Sequence, residues 1–237
     1  MESLIIMTAA LTPAAILLYY IYRKDKFRKE PVAELMKAFG FGIVSVFLSL
    51  FMSLPLGYMG FYPDVPATFA GAVATSFFGA AIPEEIAKFL MFWLLVRRNR
   101  YFDEHMDGIV YASCVSLGFA GLENIMYLFS NYDAWISVGI TRAVFSVPGH
   151  FFFGILMGYY YSLVRFDPLL PKYRRYLVLG APILAHGIYD SILFVMDVAP
   201  GVAVLLMVVF VMMCNSLRKY CSRRIQDHLE KDGVIQQ

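Results

Sequence analysis

The sequence predicts an all-α, polytopic transmembrane bundle, and three observations predict it. Of 237 residues, 59% are hydrophobic and only 16% are charged, whereas a soluble domain carries about 25% charged residues. Apolar segments of about 20 residues, enough to cross a bilayer, recur along the whole chain. The connections between them alternate between strongly basic and free of lysine and arginine.

Taken in order, the candidate spans are Ser3–Tyr22, Leu35–Leu54, Ala67–Val96, Gly108–Phe129, Val147–Val164, Leu177–Met196 and Val202–Leu217. The first lacks a basic start and is followed by Arg23, Lys24, Lys26, Arg28 and Lys29. That is a signal-anchor pattern with the N-terminus outside. Further basic clusters are Arg97, Arg98 and Arg100; Arg165, Lys172, Arg174 and Arg175; and Arg218, Lys219, Arg223 and Arg224. By contrast, Pro55–Pro66, Ser130–Asp133 and Asp197–Gly201 hold no lysine or arginine. Basic loops stay inside, so seven crossings with the C-terminus inside satisfy every loop.

Ala67–Val96 is too long for one straight span, at about 45 Å. Two full crossings would put Arg97–Arg100 outside. Ile82-Pro83 resolves the conflict, because proline suits a first helical turn and acids directly after it suit the positive dipole end. The expectation is a broken helix: Ala67–Ile82 half-inserted or steeply bent, then a new helix from Pro83 to Val96. Irregular backbone at membrane depth is tolerated only where it is buried in protein or lines a wet cavity. The break therefore marks a site.

Cys114, Cys214 and Cys221 form no Cys-x-x-Cys spacing, which argues against a thiolate metal site or a disulfide framework. A net charge of +2 calls for no nucleic-acid partner. Gly154 and Gly158 make a packing pair, and Arg218–Gln237 reads as a short cytoplasmic helix or as disorder.

An ionised side chain at mid-bilayer costs about 2.5–3.5 kcal/mol or more, so it stands there only with a partner or a function. Four clusters do so: Glu84, Glu85 and Lys88; Glu123 and Asn124; Arg142 and His150; His186 and Asp190. Lys88 lies one helical turn from both acids and can neutralise one of them, leaving a carboxylate over for a general base or a ligand. Glu123 stands alone in its helix, with Gly118 and Gly121 allowing a neighbour close. His186 and Asp190 share a face, as two metal ligands or as a base and its orienting acid. Pro148-Gly149 precedes His150 and should present its ring near the outer interface. Arg142 can serve as a counter-ion. His105 and His228 fall in cytoplasmic segments and are set aside. By helical rise, Glu84 and Glu85 sit roughly 17 Å from the inner face, His186 roughly 14 Å and Glu123 roughly 22 Å. All converge between the midplane and the outer leaflet.

These motifs in this order, Glu84-Glu85-x-x-Lys88, Phe119-x-x-x-Glu123-Asn124, Arg142 with His150, and His186-x-x-x-Asp190, resemble the PrsW family. The resemblance spans about Ala67–Asp190. It implies a bacterial intramembrane protease that makes the first cut in a membrane-anchored anti-sigma factor. More distantly the chain is similar to CAAX endopeptidases and Abi immunity proteins, which have Glu-Glu-x-x-x-Arg and Phe-x-x-x-His where this chain has Lys88 and Glu123.

On this basis one membrane protease domain, 1–217, is expected, with 67–196 as catalytic core and 218–237 as cytoplasmic tail. Glu84, Glu85, Glu123 and His186 are the expected catalytic residues. Lys88, Asn124, Arg142, His150 and Asp190 support them. Zinc is a candidate cofactor, held by His150, His186, Glu85 and Asp190, and a metal-free glutamate mechanism stands beside it. A proton- or cation-coupled transporter also explains buried ionisable groups and a broken helix, and a non-proteolytic immunity protein is a third reading.

Overall fold

In a computed structural model, which describes residues 1–233, the apolar segments form helices, and no strand occurs among the described residues. The helices are α1 (Glu2–Lys24), α2 (Val32–Tyr58), α3 (Phe69–Ala74), α4 (Ile82–Val96), α5 (His105–Ser130), α6 (Trp135–Thr141), α7 (Val147–Phe166), α8 (Leu177–Val198) and α9 (Ala203–Lys231). Among the described residues, six helical stretches are long and apolar enough to cross a membrane: α1, α2, α5, α6 with α7, α8 and α9. The bundle is thus polytopic.

The stretch 69–96, with Glu84, Glu85 and Lys88 in it, is not among those six. The connections after α1, α4 and α7 meet at one end. There Arg28 pairs with Asp103 at 2.7 Å, and His105 with Asp167 at 3.0 Å. Since α2 leaves that end, 69–96 returns the chain to it.

The expected break at Pro83 takes a different form. The helix does not open; it widens into a π-helical segment, Thr75–Ala81, between α3 and α4. Proline lacks an N–H and its ring clashes with the carbonyl four residues back. A π turn relieves both demands without exposing backbone to lipid. The same device precedes Pro148: Arg142–Ser146 is π-helical and joins α6 to α7. His150 consequently sits inside a continuous helix and is buried.

α5 is the axis, with every residue from Met106 to Gly121 buried. A helix apolar all round belongs inside. Its glycines let neighbours reach it: a Cβ on Gly118 would stand 2.0 Å from the Phe39 carbonyl of α2, and one on Gly158 2.0 Å from the Gly108 carbonyl. Outward faces such as Phe47, Phe51, Val204 and Met212 stay exposed and apolar, as lipid contact requires.

The stretch 218–231 continues α9 as regular helix. It docks on the bundle through Cys221, Ile225 and Leu229, and through His228, whose Nε2 lies 3.2 Å from the Tyr159 carbonyl oxygen. Asp232 then caps α5, accepting from the backbone N–H groups of His105 at 2.9 Å and Met106 at 2.8 Å. Neither His105 nor His228 approaches the clusters read as catalytic. Positions 234–237 of the expected tail lie outside the described residues.

Candidate active site

Local sequence explains how each ionisable group reaches the interior. Glu84, Glu85 and Lys88 occupy the first turns of α4, directly after the π segment, and all three point to α7 and α8. Lys88 Nζ donates to Glu84 Oε2 at 3.1 Å, to Glu85 Oε1 at 2.8 Å and to His150 Nδ1 at 3.0 Å. An ammonium only donates, so His150 Nδ1 accepts and its proton resides on Nε2. That Nε2 faces Glu123 Oε2 at 3.0 Å.

Arg142 completes this side. Its Nη2 donates to Glu123 Oε2 and its Nε to Asn124 Oδ1, both at 2.7 Å, while the guanidinium lies 3.9 Å over the Tyr127 ring. Asn124 in turn donates to the Ala10 carbonyl at 2.8 Å, so α1 steadies the site. On the other side His186 Nδ1 is 2.8 Å from Glu85 Oε1 and Nε2 is 3.2 Å from Asp190 Oδ2. The Phe153 ring stacks on the imidazole at 4.7 Å. All nine residues expected from sequence therefore join one network.

They do not hold equal positions. A cavity of about 220 Å³ is lined by Glu84, Glu123, Arg142, His150, His186 and Asp190, with Tyr127, Ser146 and Tyr189 among its other walls. Glu85 is fully buried beneath it, and its Oε2 has no hydrogen-bond partner. Of the adjacent pair, Glu84 faces the cavity and Glu85 braces Lys88 and His186.

The sequence reading took Phe119 only as part of a motif and missed Tyr127 and Phe153. Phe119 and Tyr127 lie four residues before and after Glu123, and Phe153 three after His150. Helical spacing alone places each on the same face as its polar neighbour.

Four carboxylates, Glu84, Glu85, Glu123 and Asp190, face two permanent cations, Lys88 and Arg142. The two-charge difference matches one divalent cation. Donor atoms of Glu84, Glu85, His150 and His186 lie within 4.8 Å of one another. With the free Glu85 oxygen, two imidazoles and hard carboxylates, that set fits zinc. Glu84 stands in that set where Asp190 was expected, and Asp190 Oδ2 lies 3.2 Å from His186 Nε2.

Comparison with known proteins agrees with this geometry. The profile of the PrsW family intramembrane metalloproteases matches residues 30–214. This chain belongs to the PrsW family. It is 38% identical over 188 residues to Protease PrsW of Oceanobacillus iheyensis, covering 79% of this chain and 82% of the relative. With Protease PrsW of Geobacillus kaustophilus it shares 35% over 188 residues, 79% of each chain. With that of Clostridioides difficile it shares 32% over 226 residues, 94% of this chain and 92% of the other. No solved structure matches. Membership in PrsW makes the chain a peptidase of the bacterial membrane, and the transporter and immunity readings give way to it.

Proposed function

We propose that this PrsW protease makes the first, site-1 cut in a membrane-anchored regulator such as an anti-sigma factor, with Glu84 as general base. The observation that carries this reading is the split within the acid pair: Glu84 lines the cavity while Glu85 is sealed beneath it. A water beside Glu84 loses a proton to it on attacking the scissile carbonyl, and Glu84 returns that proton to the leaving amine. Arg142 and His186 face the same cavity and stabilise the developing oxyanion. Glu85 and Asp190 fix the His186 ring between them, and Glu123 fixes His150. Where a metal is bound, Glu84, Glu85, His150 and His186 would hold it, and zinc there would supply an activated water and carbonyl polarisation.

The reading takes the basic loops as cytoplasmic, which puts the cavity toward the outer leaflet and the scissile bond near the extracytoplasmic boundary of the substrate span. The substrate must be unwound there, because a helical carbonyl is engaged in its own backbone ladder.

The test is cleavage of a single-span substrate by detergent-solubilised protein, with product ends mapped by mass spectrometry. Glu84→Gln should lower the rate at least about a hundredfold while the protein still accumulates, and Glu85→Gln should abolish cleavage too. Near-normal turnover in both variants would end the reading. A cut in the cytoplasmic third of the substrate span would overturn its topology.

A further inference from the structure

We infer that Lys88 is the resident cation of the donor set, and that its ammonium and a divalent metal hold that set in alternation. Three of the four residues whose donor atoms gather here are already bound to Lys88 Nζ: Glu84 at 3.1 Å, Glu85 at 2.8 Å and His150 at 3.0 Å. The ammonium has three N–H groups, and these three contacts use them all. The nitrogen also lies 4.0 Å from the centroid of the Phe119 ring. Lys88 is fully buried, so the protein supplies its whole surroundings.

His150 decides the exclusion. A carboxylate has lone pairs to spare, and Glu85 Oε2 is unpartnered, so the acids can serve an ammonium and a metal together. An imidazole nitrogen has one lone pair. His150 Nδ1 spends it on Lys88, and Nε2 carries the proton directed at Glu123. His150 can ligate a metal through Nδ1 only after Lys88 has left it. Two cations a few ångströms apart in a low-dielectric interior also repel strongly. The flexible four-carbon stem of lysine makes such a withdrawal feasible. It follows that the metal-free donor set already holds a cation of its own, and that metal entry is a competition against that tethered cation.

The inference uses the donor set of the peptidase reading, but its readout is metal binding, so a loss of cleavage cannot imitate it. Wild type, Lys88→Met and Lys88→Arg are purified in detergent, stripped with chelator and titrated with zinc chloride by calorimetry. Bound metal is counted by mass spectrometry and melting temperature is followed throughout. Lys88→Met should bind one zinc per chain at least tenfold more tightly than wild type, and Lys88→Arg should resemble wild type. Stripping should lower the melting temperature of Lys88→Met and added zinc should restore it, while wild type changes little. Should Lys88→Met fail to accumulate, Lys88→Gln carries the same comparison, and growth with added zinc should raise the yield of either. Equal zinc affinity in wild type and the uncharged variants, absence of zinc binding in all, or no recovery on adding zinc would overturn the inference.

Discussion

Two clusters of buried acids sit at opposite ends of α5, and they solve the same electrostatic problem in opposite ways. Around Glu123, carboxylates meet Lys88 and Arg142 at 2.7–3.1 Å. Around Asp107, about 24 Å away along the helix, Asp25, Glu30 and Glu104 crowd together without such partners. Tyr111 donates to Glu30, and Asp107 accepts from the backbone N–H groups of Asp103 and Glu104 at 2.8 Å each. One oxygen each of Asp25 and Asp107 has no partner. Burial, with nearby acids adding to it, pushes Glu30 and Glu104 up to about 7. Buried carboxylates are held charged and oriented where a basic side chain reaches them, and are driven toward the protonated form where none does.

Charge neutralisation should separate the two ends most sharply. Glu123→Gln removes the shared partner of Arg142 and His150 and leaves a buried guanidinium uncompensated, at a cost of about 3–5 kcal/mol. Glu30→Gln, at the other end, replaces a repelled carboxyl with a neutral amide of the same shape and should change stability by less than about 1 kcal/mol. Thermal unfolding of the two variants in one detergent reads both effects. Equal losses would dissolve the distinction between a charge-matched cluster and a proton-sharing one.

The sequence showed the first cluster far better than the second. Glu84, Glu123, His186 and their neighbours announce themselves as charges in apolar helices, and one-turn spacing pairs His186 with Asp190. Which of Glu84 and Glu85 faces the cavity was not legible, since helix rotation is set by the π turn upstream, and nothing in 75–81 but the following proline hints at it. Six of the seven expected crossings were readable as long apolar segments. The contact of Asn124 with Ala10 was not, because a backbone carbonyl has no residue signature. The Asp107 cluster was hidden for a related reason. Its acids stand in ordinary polar loops and become buried only when α1, α5 and the end of α9 converge.

A pH dependence follows from the second cluster and is intermediate in size. Glu30 and Glu104 have folded values of about 7 against ordinary values of 4.5, so the folded protein holds protons that the unfolded chain has released. As pH rises, stability falls wherever the folded state binds more protons than the unfolded. Their contribution is therefore full below about pH 4.5, is lost as pH rises toward 7, and is flat beyond. Melting temperature should climb as pH is lowered from 7.5 to about 5.5, and the Glu30→Gln, Glu104→Gln double variant should flatten that climb. A slope unchanged in the double variant would assign it to other groups.

The smallest effect should come from Asp232, which joins the end of α9 to the second cluster without belonging to its unpartnered acids. Its two oxygens satisfy the His105 and Met106 N–H groups that begin α5, and its negative charge suits the positive end of that helix. The His105 ring, lying 3.0 Å from both Asp232 and Asp167, and the Lys231–Asp167 pair at 2.5 Å tie the same corner to the α7–α8 connection. Asp232→Ala removes a cap and should cost about 1 kcal/mol, whereas Asp232→Asn keeps an acceptor and should cost less. Fraying of this kind is confined to the first turn of a helix. Glu123 lies more than four turns further on, at about 3.6 residues per turn, and most of the intervening helix is buried. Hydrogen exchange should accordingly quicken at the start of α5 in Asp232→Ala and remain slow near Glu123, with substrate cleavage unchanged. Faster exchange at Glu123, or a fall in cleavage, would show that the two ends of α5 are mechanically coupled and that their electrostatic contrast is not a division into independent parts.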